Sequence, residues 1–122
     1  MRWIWLGALN GFVSVAAGAF GAHALKTRLT PDMLAVFETG ARYQMSHALA
    51  LVLLGLLQLS RPAMSLDGAG WSFLAGIALF SGSLYVLALS GVRAFGMVTP
   101  IGGVAFLVGW VLLALASLKG AA

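Results

Sequence analysis

Apolar residues run through this chain in four blocks separated by thinly spread charges. Residues 3–25, 43–60, 68–92 and 94–118 contain no Asp, Glu, Lys or Arg. A helix rises about 1.5 Å per residue, so about 20 apolar residues cross a hydrocarbon core of about 30 Å. Each block is therefore a candidate span. Only Arg93 parts the last two blocks, and Thr99-Pro100 sets a helix start within the fourth. Thr is a favoured N-cap and Pro a favoured first helical residue. The pattern predicts spans at residues 3–25, 43–60, 69–91 and 99–118.

Residues 26–42 form the longest piece between spans, and they too carry helix signals. Thr30-Pro31 repeats the start motif, and Asp32 complements the N-terminal dipole. Leu34, Phe37 and Ala41 recur at helical spacing, with Glu38 and Arg42 as an i,i+4 pair. A short amphipathic helix at residues 30–42 is expected at the membrane interface, with no Pro to stop it running on into the second span. Arg61-Pro62 ends that span. The expected fold is an all-α integral membrane protein. Four transmembrane helices form a compact antiparallel bundle, one domain over residues 1–122, with the interfacial helix between the first two spans.

Composition supports that reading and removes others. Of 122 residues, 61% are hydrophobic and 8% charged. Soluble domains have about 45–50% apolar residues, Gly included, and about a quarter charged. So few charges cannot solubilise this much apolar surface. The net charge of +4 comes from seven cations set mostly near span ends. There they anchor to headgroups, so the partner they imply is the lipid bilayer and not a nucleic acid. Met1-Arg2 with Ala22-His23-Ala24 has some features of a signal peptide. The apolar run between is too long for one, so it is expected to remain as the first span. Arg2, Arg61 and Lys119 fall on one side, and Lys26, Arg28, Arg42 and Arg93 on the other, so the charges set no orientation. The chain has no Cys, hence no disulfide and no thiolate chemistry.

The 16 Gly residues are about twice the usual share, and their positions are informative. In lipid, helices associate through close backbone approach, which small residues permit. Gly7, Gly11, Ser14, Gly18 and Gly21 recur at spacings 4, 3, 4, 3, a heptad seam on the first span. Asn10 lies beside it and is expected to hydrogen-bond across. The second span offers Gly40, Gln44 and His47, and the third Ala75, Ala78 and Gly82 with Tyr85 alongside. On the fourth lie Gly102, Ala105, Gly109 and Ala116. These stripes are expected to turn inward or toward a neighbouring copy, which allows either a homo-oligomer or packing beside another membrane protein.

Polar groups inside a membrane are costly and are functional hypotheses by default. The densest cluster is Glu38, Arg42, Tyr43, Gln44 and His47, with His23 at similar depth. Its first reading is interfacial anchoring and helix-to-helix hydrogen bonding. The second is a small transporter, channel or ligand-binding protein whose polar site between the first two spans takes a proton or an unidentified small molecule on His47, Gln44, Arg42 and Glu38. A metal or bis-histidine haem site comes third. At 100° per residue His23 points about 160° away from Gly21 and the seam, and two His with one carboxylate are a sparse ligand set. No cofactor is therefore assigned. No catalytic motif is present either. Ser81-Gly82-Ser83 lacks the strand-to-helix turn of a nucleophile elbow and reads as packing. Asp67 is expected to be solvated in a polar turn, and Trp3, Trp5 and Trp71 to form an interfacial belt.

Four blocks together carry a family resemblance. They are Gly18-Ala19-Phe20-Gly21-Ala22-His23, Phe37-Glu38-Thr39-Gly40-Ala41-Arg42-Tyr43-Gln44-Met45-Ser46-His47-Ala48-Leu49-Ala50, Leu79-Phe80-Ser81-Gly82-Ser83-Leu84-Tyr85, and Thr99-Pro100-Ile101-Gly102-Gly103 running to Gly109-Trp110. In order, spacing and length the chain resembles the YgdD/YwdK-like small membrane proteins. These form domain-of-unknown-function family 423, whose animal relatives are called transmembrane protein 256. The resemblance implies a multi-pass protein of the bacterial inner membrane. It also implies no established activity, so no catalytic residue carries over. His23, Tyr43, Gln44, His47, Ser81, Ser83, Tyr85 and Thr99 fall within the family's blocks.

Overall fold

The computed structural model describes residues 1–121, and it is helical nearly throughout. Four helices are long and apolar enough to cross a membrane: α1 (Arg2–Leu25), α2 (Pro31–Ser60), α3 (Asp67–Ser90) and α4 (Thr99–Ala121), the last preceded by a 3₁₀ turn, Arg93–Met97. Short connections make successive helices antiparallel neighbours. α1 lies along α2 and α4 along α3, while α2 and α3 pack together in the middle.

Local chemistry sets the helix ends. Thr30 caps α2, its Oγ1 accepting from the Met33 amide at 3.2 Å, with Pro31 at the first turn. α2 stops at Arg61, held in a non-helical conformation before Pro62. Gly91 ends α3 at φ 72°, a left-handed cap that a Cβ would disfavour. The amphipathic segment expected at residues 30–42 does not stand apart. It forms the first turns of α2, a single helix of 30 residues. Nothing between Ala41 and Tyr43 breaks the backbone ladder. Thirty residues measure about 45 Å, about ten residues more than the hydrocarbon core requires. The Pro31 end of α2 therefore projects into the interface.

Two π-turns modify the helices. Gly21–Leu25 closes α1, and Ile77–Ser81 widens the middle of α3. At the second, the Gly82 amide donates to the Ile77 carbonyl, one residue further back than in an α-helix. The extra residue turns the rest of α3 by about 100°. This corrects the small-residue face expected on the third span. Ala75 and Ala78 are exposed, and a Cβ on Gly82 would come no nearer than 3.9 Å to any atom outside its immediate surroundings. Gly76 faces the core instead and takes the Phe106 ring against its backbone.

The seam on α1 divides the same way. A Cβ on Gly7 would lie 2.7 Å from Val52 Cγ2 and 2.8 Å from the Ala48 carbonyl oxygen. Ser14 is buried and donates to the Ala41 carbonyl at 2.7 Å, and Gly21 faces the Phe37 ring. Gly11 and Gly18 meet nothing within 4 Å. Of the two directions expected for the seam, inward or toward a neighbouring copy, these two residues do not take the inward one, because α1 has essentially one neighbour along its length and the arc of small residues is wider than that contact. On α4 two of the four expected positions, Gly102 and Gly109, are close contacts. Gly109 receives the Phe73 ring, and Gly102 lets two backbones touch: its Cβ would lie 2.7 Å from Phe80 Cα at the π-turn.

The core is built around Phe73, Leu51 and Leu54, with Trp3, Leu66, Ile77 and Phe106. Trp3 corrects the expected aromatic belt. It is 2% exposed, its Nε1 donates to Asp67 Oδ1 at 2.9 Å, and it meets Trp71 edge-on at 5.0 Å. Trp5 and Trp71 remain exposed, as a belt requires. Asp67 is more than a solvated turn residue: Arg2 Nη2 lies 3.0 Å from its Oδ2. A second, smaller cluster of Leu25, Phe37 and Ala88 closes the opposite end.

Candidate functional site

The polar residues picked out on α2 separate according to the face they occupy. Glu38 and Arg42 are exposed, as is His23 on the π-turn that ends α1. No ion pair within 4.0 Å joins Glu38 to Arg42 among the described residues. Tyr43 is partly exposed, and its ring packs 4.6 Å from Phe80. Only Gln44 and His47 point fully into the bundle, and each belongs to a different arrangement.

Gln44 joins three helices. Tyr85 on α3 donates its hydroxyl hydrogen to Gln44 Oε1 at 2.6 Å. Gln44 Nε2 donates to Asn10 Oδ1 on α1 at 3.0 Å, and Asn10 Nδ2 donates to the Leu6 carbonyl at 2.9 Å. The bonds run in one direction, and the two amides and the phenol use each other. Such side-chain bonds hold helices together where lipid offers no alternative partner. The bond across the seam expected of Asn10 is therefore present.

His47 lies one turn further on, among rings. Its imidazole stacks on Phe106 at 3.6 Å between centroids and 10° between planes, with Phe73 at 5.5 Å. Trp110 Nε1 donates to His47 Nε2 at 3.1 Å. An indole N–H can only donate, so Nε2 is the acceptor and the hydrogen sits on Nδ1. Nδ1 donates in turn to the Tyr43 carbonyl at 2.8 Å. Both ring nitrogens are used inside the chain, and no lone pair is left for a metal ion or an incoming proton. Among the described residues no three His, Asp or Glu side chains come together as a metal site would need. Trp110 and Phe106 lie outside the cluster that the sequence singles out. The available signal was chemical: an apolar span with one indole needs one acceptor, and only two imidazoles exist in the chain.

A third polar contact joins α3 to the start of α4. Ser83 Oγ donates to the Phe80 carbonyl at 2.9 Å and accepts from Thr99 Oγ1 at 2.6 Å. Ser81, in the π-turn, is wholly buried, and its hydroxyl has no partner. Cavities lie elsewhere. One of about 400 Å³ sits beside Arg2 and Gln58, and one of about 410 Å³ is a shallow groove between α1 and α2 beside Gly18 and Arg42. A third, of about 660 Å³, lies where the α2–α3 loop meets the end of α4. His47 and Gln44 line none of the three.

The family model described as protein of unknown function (DUF423) matches residues 17–103. The chain belongs to this family. A UPF0382 membrane protein of Staphylococcus epidermidis (strain ATCC 12228) is 46% identical over 114 residues, 93% of each chain. One from Staphylococcus aureus (strain bovine RF122) is 45% identical over the same share, and YwdK of Bacillus subtilis (strain 168) is 43% identical over 115 residues, covering 93% of this chain and 94% of its own. No solved structure matches. The relatives' names place them in a membrane, in keeping with the four apolar helices, and none specifies an activity. The resemblance noted from the four sequence blocks is thereby shown. The matched segment spans the first three of those blocks and the Thr99-Pro100-Ile101-Gly102-Gly103 motif.

Proposed function

We propose that this chain is a non-enzymatic component of the bacterial inner membrane that acts through helix contacts and assembles with a second copy of itself. The observation that carries the reading is the state of His47. The one buried imidazole spends both nitrogens on Tyr43 and Trp110, and it is a ring in a packed core and not a group poised for chemistry. Gln44 and Tyr85 are spent likewise on Asn10 and each other. What the bundle leaves unused is the outer half of the α1 seam, Gly11 and Gly18, which face open space at a spacing of seven.

Cross-linking and sedimentation in mild detergent test the assembly. Gly11→Leu and Gly18→Leu are expected to reduce the oligomer while leaving the monomer folded. His47→Ala and Arg42→Ala are expected to leave any co-purifying small molecule unchanged. Wild-type assembly of both Gly variants would count decisively against the proposal. Loss of a bound molecule in the Arg42 variant would favour a binding protein that uses the groove between α1 and α2.

A further inference from the structure

One cavity lies at the end of the bundle that carries Arg2, Trp3 and Trp71. Three elements wall it: the Ser60–Ser65 turn, the first turn of α3 at Gly68 and Ala69, and the last turns of α4 at Leu112, Leu115, Ala116 and Lys119. Its volume of about 660 Å³ is in the range of sites that hold small molecules. The lining is divided by chemistry. Leu112, Leu115, Ala116 and Ala69 make an apolar floor, whereas Arg61 and Lys119 bring two positive charges from separate elements. Among the described residues no Asp or Glu side chain lines it. Asp67, one residue before Gly68, turns to the other side, where Arg2 and the Trp3 indole hold it.

Depth completes the picture. Ser60 is the last residue of α2, Gly68 the second of α3, and Lys119 stands in the last turn of α4. All three therefore sit where spans leave the hydrocarbon, at the level marked by the exposed Trp71 ring. Below them Leu112 and Leu115 continue the wall as partly exposed apolar surface facing the acyl chains. A cavity cationic at headgroup depth and apolar beneath matches one class of molecule in both charge and shape. We propose that it binds an anionic phospholipid, its phosphate drawn by Arg61 and Lys119 and its chains laid along Leu112 and Leu115. A membrane-facing basic pocket of this kind selects lipid headgroups by charge.

The test compares phosphatidylglycerol with phosphatidylcholine of identical acyl chains, added to the purified full-length protein, with retention read by native mass spectrometry. Preferential retention of phosphatidylglycerol is expected. Arg61→Gln and Lys119→Gln should each lower that preference roughly fivefold, the effect of one cation near an anionic lipid surface. Lys26→Gln, at the opposite end, should leave it unchanged. Leu115→Trp fills the groove without altering charge and should reduce retention as well, so the proposal remains open to refutation even where Arg61→Gln fails to fold. Equal retention of the two lipids, or a preference that survives Lys119→Gln and Leu115→Trp, would overturn it. Displacement by glycerol phosphate as effective as by intact lipid would also overturn it in favour of a site for free anions. A dimer cross-linked through position 115 that excludes lipid would overturn it too, by showing that a second copy covers the cavity.

Discussion

Along the α1–α2 seam, contact depends on what side chains lack; where α2 meets α3 and α4, it depends on rings. Gly7 lets α1 lie against the backbone of Val52, and Gly55 lets α2 accept the backbone of Ile4. One buried hydroxyl, that of Ser14, and one amide pair, Asn10 with Gln44, fasten the seam. At the centre, Phe73, Phe106, Trp110 and His47 interlock, and glycines appear there as sockets, Gly76 for Phe106 and Gly109 for Phe73. The difference has a physical basis. Lipid is as apolar as Leu, so two helices gain by touching only if they touch more closely than lipid would. Bare backbone achieves this for a pair of helices. Filling the wider space among three takes large flat side chains at high packing density.

The largest expected effect comes from filling a backbone contact. Gly102→Leu would drive a side chain into the backbone of the α3 π-turn, and Gly7→Leu would drive one into α2. Each should cost about 3 kcal/mol or prevent folding, measured by unfolding in detergent. Gly11→Leu, on the same helix as Gly7, should change monomer stability by no more than about 0.5 kcal/mol. Equal destabilisation at Gly7 and Gly11 would erase the distinction between the two halves of the seam.

Next comes the ring centre. His47→Ala removes a stacked ring and leaves the Trp110 indole N–H without its acceptor, at an expected cost of about 2–3 kcal/mol. His47→Phe should recover only part of that loss, since the ring returns but the acceptor does not. Full recovery would make the centre purely a matter of packing. A smaller effect is expected in the hydrogen-bond chain. Tyr85→Phe should cost about 0.6 kcal/mol, the usual size of an interhelical side-chain bond in lipid. The smallest change should have the opposite sign. Ser81→Ala removes a buried hydroxyl that has no partner, and should stabilise the bundle by about 0.5 kcal/mol. Thermal melts in a single detergent would rank all of these variants together.

Much of the seam is legible in the order of residues alone. Gly7, Ser14 and Gly21 fall at heptad spacing, and Asn10 beside them has no other use in an apolar helix. The excess of the pattern is not legible there. Gly11 and Gly18 follow the same period, and only the position of α2 shows that they look outward. On α3, a single inserted residue at Ile77–Ser81 shifts the phase, so the spacing points to Ala75 and Ala78 while Gly76 does the packing. A π-turn leaves no periodic trace, because it breaks the period. In the polar cluster, Glu38, Arg42, Tyr43, Gln44, His47 and His23 belong together by proximity in sequence and expected depth. The helix face divides them, and only Gln44 and His47 turn inward. Their partners Tyr85 and Trp110 lie 41 and 63 residues away, on other helices.

The sequence by itself determined that this chain lives in a bilayer, that it has four helices able to cross it, and which caps and prolines bound them. Those properties follow from local quantities: the number of apolar residues that span a hydrocarbon core, and the residues that start and stop a helix. Only the tertiary structure decided which small residues are contacts and which are open surface. It also gave the one buried imidazole an indole as partner and gathered two cations from distant parts of the sequence around one cavity. Those outcomes depend on which helix lies beside which, and at what rotation. In a chain where nearly every span is equally apolar on every side, periodicity leaves that choice open and packing makes it.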